Sequence, residues 1–86
     1  MYDIRFTPRG EGELKSLPKD IQWRIQKKLR DNASIPNPLV RAKSLTDLPP
    51  ATHRYRIGKY RVSFYIEPKT IFVERVELRG QAYRHN

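Results

Sequence analysis

The fold is decided by residues 54–66, which read RYRIGKYRVSFYI. Gly58 and Lys59 separate two runs rich in aromatic and β-branched residues, and a glycine first in the break suits a two-residue type II′ hairpin turn. We therefore predict an antiparallel hairpin with strands over 53–57 and 60–67. Its register pairs Ile57 with Tyr60, Arg56 with Arg61, and Arg54 with Ser63.

Side chains alternate along a strand, so this register separates two chemically different faces. Arg54, Arg56 and Arg61 project from one face, where the nearest acid that alternation supplies is Glu67, at the far end of the second strand. Opposed arginines repel each other and lower the stability of the sheet. We therefore favour the interpretation that these arginines bind an anion over the alternative that they only keep the protein soluble. The guanidinium group binds phosphate through two hydrogen bonds, so the expected ligand is a nucleic-acid backbone. The predicted core face carries Ile57, Tyr60, Val62, Phe64 and Ile66.

A third strand is predicted over 70–78, after the break at Pro68 and Lys69. Its register stays open, because a two-residue loop leaves Arg75 on the core face and a three-residue loop places Glu74 there.

The first half of the chain predicts one strand and two helices. Apolar and polar residues alternate over 2–6, and Thr7 with Pro8 is typical of a helix start. The first helix is short, with Leu14 and Leu17 as its anchors. Pro18 opens a longer helix whose apolar stripe is Ile21, Ile25 and Leu29.

Trp23 falls opposite that stripe, so it either covers the other helix or contacts a partner chain.

Residues 34–52, rich in proline, form a connector whose leucines pack against the rest of the domain. The order predicts an α+β single domain over 1–86: an N-terminal strand, two helices, then a three-stranded antiparallel meander, with the helices on one sheet face.

Composition narrows the class of protein further. The chain has 86 residues and a net charge of +9, which favours a polyanionic partner. It has no cysteine and two histidines, so we expect no disulfide, no metal and no cofactor. No apolar run approaches the roughly 20 residues of a membrane span, and we expect a cytoplasmic protein.

Beyond the third strand, residues 79–84 read RGQAYR. Gly80 lets the backbone turn, which brings Arg79 and Tyr83 back over the strand face. A tyrosine among arginines can stack a nucleobase while the backbone is held, and the alternative is a Tyr83 that seals the end of the domain.

Together these pieces resemble the RelE/ParE superfamily of toxins from type II toxin–antitoxin modules. The resemblance covers nearly the whole chain: the strand ending in Thr-Pro, SLPKDIQWRIQKKL at 16–29, NP at 37–38 and KSL at 43–45, RYRIGKYRVSFYI at 54–66, and RGQAYR at 79–84.

In the RNA-cleaving branch of this superfamily, toxins cut mRNA in the ribosomal A site. The resemblance then implies a metal-independent endoribonuclease, with ribosome, mRNA and a cognate antitoxin as partners. The catalytic positions it implies are Arg54, Arg56, Arg61, Arg79 and Tyr83. Further RNA contacts are implied for Lys59 and Arg84.

The chain departs from the family at its general base. Some members carry lysines where this chain has Arg54 and Arg56, and many carry a histidine where it has Leu78. Arginine keeps its proton and is a poor base. His85 is one candidate base, and His53 is either another or a structural residue. The alternatives are a toxin of the ParE branch, which acts on DNA gyrase without cleaving RNA, and an RNA-binding module without chemistry.

Overall fold

The computed structural model describes residues 1–79 as a five-stranded sheet with two helices. The strand order is β1-β5-β4-β3-β2; β1 runs parallel to β5, and the other neighbours are antiparallel. This arrangement confirms the α+β prediction. The elements are β1 (Asp3–Phe6), α1 (Pro8–Lys15), α2 (Lys19–Ser34), β2 (Lys43–Ser44), β3 (His53–Ile57), β4 (Tyr60–Ile66) and β5 (Thr70–Leu78).

Helix α1 begins where Thr7 and Pro8 predict it. The Thr7 side-chain oxygen accepts a hydrogen bond from the Gly10 backbone N–H at 3.1 Å, which satisfies one of the free donors of the first turn. Gly10 lies so close to β5 that a Cβ atom there would collide with the Val73 carbonyl oxygen. The glycine that weakens the helix therefore allows α1 to lie directly on the β5 backbone.

The core lies between the helices and one face of the sheet. Leu14 of α1 and Ile25 and Leu29 of α2 are buried there, as the apolar stripe predicts. Tyr60 and Ile66 pack against this cluster but keep partial exposure. The buried strand residues are Tyr55, Ile57, Val62, Phe64, Ile71, Val73 and Val76.

A β-bulge in β5 sets the register between β4 and β5, which the sequence left open. Ser63 pairs with Arg75, but the next residue, Phe64, pairs with Val73, so Glu74 is the extra residue on β5. A bulge reverses the alternation of side chains beyond it. Val73 and Val76 are therefore both buried, and neither Glu74 nor Arg75 occupies the core.

The structure decides between two alternatives for Trp23 and adds one strand that the sequence did not indicate. Trp23 is 60% exposed, so it does not cover the other helix. Within the connector, Lys43 and Ser44 form an edge strand beside β3, which no alternation of apolar residues had indicated. In the described part of the chain, no helix has both the length and the apolar composition that crossing a membrane requires.

Candidate nucleic-acid interface

The sheet face opposite the helices carries the three arginines of the hairpin, and we call it the arginine face. The β3–β4 register is the predicted one: Arg56 lies opposite Arg61, and Arg54 lies opposite Ser63. Arg56 is exposed, whereas Arg54 and Arg61 are half-buried. The buried residues of both strands alternate with these arginines, which confirms that the arginines share one face.

The turn between β3 and β4 holds this register. Gly58 has a φ of +59°, a backbone conformation that residues with a Cβ atom rarely adopt. Among residues 1–79, no residue other than glycine has a positive φ, and this includes Lys59, the second central residue. One positive φ, at the first central position, is the pattern of a type II′ turn rather than type I′.

Tyr55 anchors the strand that carries Arg54 and Arg56. Its side chain is 1% exposed, its ring stacks on Phe64 with centroids 4.4 Å apart, and its hydroxyl donates to the Pro38 carbonyl at 2.6 Å. Burial raises the pKa of Tyr55 to about 12, an effect that the positive charge of Arg41 partly opposes. The two arginines thus project from a strand that is fixed on its other face to both the core and the connector.

The arginine face includes an acidic residue closer than expected. Glu77 lies opposite Arg61 in the β4–β5 register, because the bulge places it on that face, so Glu67 is not the nearest acid. Arg75 holds the Glu77 carboxylate at 2.9 Å and the Glu13 carboxylate at 3.1 Å. Simple alternation could not reveal this arrangement, because the bulge shifts the side-chain pattern by one residue.

Glu13 also closes the edge of β5 beyond the end of β1. Its carboxylate accepts the backbone N–H of Val76 at 2.7 Å and the Nε–H of Arg75 at 3.1 Å. A side chain of α1 therefore takes the place of a neighbouring strand. A cleft of about 440 Å³ adjoins this network and Tyr60.

Arg79 lies beside the hairpin turn, where its backbone N–H donates to the Lys59 carbonyl at 2.7 Å. Its Nε atom is buried and has no hydrogen-bond partner in the described structure, and the same is true of the Ser63 hydroxyl in the middle of the arginine face. Buried polar groups are nearly always paired, so these two unpaired groups are unusual.

The structure describes one of the two histidines, His53. His53 lies on the helix-facing side, where its ring stacks on Phe64 at 6.0 Å and its Nδ1 lies 2.9 Å from the Thr52 hydroxyl. It is a structural residue rather than a candidate base beside Arg54. Three further predicted site residues, Tyr83, Arg84 and His85, lie outside the described residues. Within residues 1–79, no cluster of three or more His, Cys, Asp or Glu side chains could hold a metal ion.

Several solved structures share this fold. The toxin–antitoxin complex RelBE2 from Mycobacterium tuberculosis contains a chain with 30% sequence identity and a TM-score of 0.77, and the alignment covers 91% of each chain. The archaeal RelE–RelB complex from Pyrococcus horikoshii matches at 25% identity and a TM-score of 0.70, over 93% of this chain and 97% of that one.

A third structure, the chromosomal ParDE system from P. aeruginosa, has a TM-score of 0.68 at 12% identity, over 91% of this chain and 96% of that one, and shows similarity of fold alone. No protein-family model and no curated protein sequence matches the chain.

Proposed function

We propose that this chain, which belongs to the RelE/ParE superfamily of toxins from type II toxin–antitoxin modules, cleaves mRNA on the ribosome. The observation that carries the proposal is the opposition of Arg56 and Arg61 on an exposed sheet face, with Arg54 beside them. Like charges directly opposite each other destabilise a sheet, and a phosphate between them would remove that cost.

The proposed reaction is attack of a ribose 2′-oxygen on the adjacent phosphorus. The bond between phosphorus and the 5′-oxygen breaks, leaving a 2′,3′-cyclic phosphate on one product and a 5′-hydroxyl on the other. The proton lost by the 2′-hydroxyl is balanced by the proton that the leaving 5′-oxygen gains. No metal takes part.

Each proposed residue has a role in that reaction. Arg61 stabilises the charge that builds on the phosphate oxygens, which is usually the largest contribution at such a site. Arg79 neutralises the leaving oxygen, and Tyr83 stacks or orients the nucleotide at the cut. Arg54 and Arg56 hold the phosphate during the reaction. Lys59 and Arg84 provide further contacts to the RNA backbone.

The unpaired Nε–H of Arg79 supports this assignment. A buried N–H donor without an acceptor is costly, and an anionic oxygen is a suitable acceptor for the Arg79 Nε–H. The Lys59 carbonyl holds the Arg79 backbone next to the hairpin turn, which supports a site to which both the turn and the residue after β5 contribute.

Arginines cannot serve as the base, because they keep their protons at any physiological pH. His85 is the candidate general base, since histidine titrates near neutral pH. Charge stabilisation and alignment of the 2′-oxygen with the scissile bond supply the remaining rate enhancement, and the ribosome contributes to that alignment.

A cognate antitoxin is the second proposed partner, acting in the cytoplasm. An acidic, amphipathic segment fits a chain of net charge +9 and would neutralise the arginine face or cover exposed apolar surface. Trp23, 60% exposed on α2, is the candidate apolar contact.

Mapping of mRNA 5′ ends after brief expression in cells tests the nuclease. We expect new ends at codon positions with the wild type, loss of these ends with Arg61→Ala, and no loss with Arg30→Ala, which removes an exposed arginine from α2. Growth arrest with intact mRNA and damaged DNA would instead support a gyrase poison. Binding of RNA with neither cleavage nor arrest would support a module without chemistry.

A further inference from the structure

Two aromatic rings stand side by side on the arginine face, at the end away from the hairpin turn. Tyr65 of β4 pairs with Phe72 of β5, and their rings stack with centroids 5.1 Å apart and planes inclined by 19°. Tyr65 alternates with Arg61 and Ser63 along β4, which places it on the arginine face. Both side chains are half-buried.

These rings differ from the other stacked aromatics of the sheet. Tyr55 and Phe64 stack within the core, beneath the helices, where both are fully buried. Neither α1 nor α2 packs over Tyr65 and Phe72. A cross-strand aromatic pair stabilises a sheet by itself, so the pair alone does not reveal a ligand, and the groups around it have to be considered.

One cation, Arg5, lies beside the pair, and the pair is continuous with the arginine face. Arg5 of β1 is exposed and lies opposite Phe72, on the outer side of the pair. Along β4, only Ser63 separates Tyr65 from Arg61, and its side chain is fully buried. Four strand residues span about 13 Å, so a single RNA strand that contacts Arg61 can also reach the rings.

We infer that Tyr65 and Phe72 form a stacking subsite for an unpaired base of the RNA, on the same strand as the cleaved phosphate, with Arg5 bound to the backbone of that nucleotide. Aromatic side chains on an open sheet face are a common platform for single-stranded RNA, because every base has a π-face. The inference rests on the proposed nuclease function and adds a substrate contact to it.

The test asks whether these two side chains and one base of the mRNA affect the cleavage rate through the same contact. Cleavage rates are measured on ribosomes programmed with mRNAs in which one flanking nucleotide at a time lacks its base. For the wild type, we expect one position at which loss of the base slows cleavage about 10-fold. Tyr65→Leu and Phe72→Leu should slow cleavage of intact mRNA by a similar factor and be insensitive to loss of that base.

Two control variants accompany these measurements. Tyr65→Phe keeps the ring and should retain the sensitivity to the missing base. Val40→Ala removes an exposed apolar side chain from the connector and should match the wild type on every substrate. Circular dichroism and thermal melting identify any variant that does not fold.

The outcomes separate this inference from the proposed function. If the wild type cleaves mRNA but folded Tyr65→Leu and Phe72→Leu respond to each missing base as the wild type does, the pair is structural and the subsite is wrong. If cleavage is intact but the two variants lose binding to an antitoxin, the rings belong to a protein interface. If the wild type cleaves no mRNA, the nuclease proposal fails and the subsite fails with it.

Discussion

The two faces of this sheet are made by the same strands but differ in burial and in charge. On the helix side, Tyr55, Val62 and Phe64 are almost completely buried, and their contacts stabilise the domain. On the other side, Arg56 faces Arg61 across the hairpin, and like charges in opposite positions repel. The contacts of the helix face therefore offset the repulsion between the opposed arginines of the arginine face.

Truncation of the core should give the largest effect. Phe64→Ala removes a fully buried ring that stacks on Tyr55, and we expect it to destabilise the protein by about 3–5 kcal/mol. Urea denaturation of the purified variant measures this loss. A loss below about 1 kcal/mol would show that the helix face does not supply most of the stability.

Loss of the contacts that Glu13 makes at the edge of β5 should give the second largest decrease in stability. Glu13→Ala leaves the Val76 N–H and the Arg75 side chain without their carboxylate partner, which should cost about 1–3 kcal/mol. Denaturation compared with Glu11→Ala, which removes an exposed acid from the same helix, gives the measurement. Equal stability of the two variants would show that Glu13 does not close the sheet edge.

The Tyr55 hydroxyl should have a smaller effect, and one that depends on pH. Tyr55→Phe loses the hydrogen bond to Pro38 and should cost about 0.5–1.5 kcal/mol at neutral pH. In the wild type, the unfolded chain releases the Tyr55 proton near pH 10, while the folded protein keeps it until about pH 12. The stability that this group provides is therefore complete below pH 10 and is lost as the pH rises toward 12.

Denaturation of both proteins over this interval tests the sign. The wild type should lose about 2–3 kcal/mol more than Tyr55→Phe between pH 10 and 12, because the phenylalanine has no proton to release. Parallel losses in the two proteins would contradict a raised pKa at Tyr55.

The smallest predicted change is a gain of stability. Arg56→Thr replaces one of two opposed cations with a residue suited to strands, and we expect it to stabilise the domain by about 0.2–1 kcal/mol. Cleavage by the same variant should fall. If Arg56→Thr is less stable than the wild type and fully active, the arginine face contributes to stability and Arg56 is not needed for cleavage.

The predictable parts of the molecule are those set by local chemistry. Gly58 determines the hairpin register, because the turn admits few residue types and few loop lengths. Thr7 with Pro8 determines the start of α1, and the stripe of Ile25 and Leu29 determines the buried face of α2. Each of these signals is contained within a few neighbouring residues.

The parts that escaped prediction depend on distant contacts. The bulge at Glu74 allows Val73 and Val76 both to reach the core, and no turn chemistry near Pro68 indicates it. The position of Glu77 opposite Arg61 follows from that bulge. Trp23 is exposed because its helix already buries the opposite stripe, so a partner must be identified by experiment rather than from periodicity.

The parallel pairing of β1 with β5 has a consequence for the order of events during synthesis. The Thr7 side chain and the Val73 carbonyl that it contacts lie 66 residues apart in the chain. Because β1 pairs with β5 alone within residues 1–79, the first strand stays unpaired until the last of these strands has left the ribosomal tunnel. Such long-range pairing is slow to form, so the pairing of β1 with β5 should be among the last steps of folding.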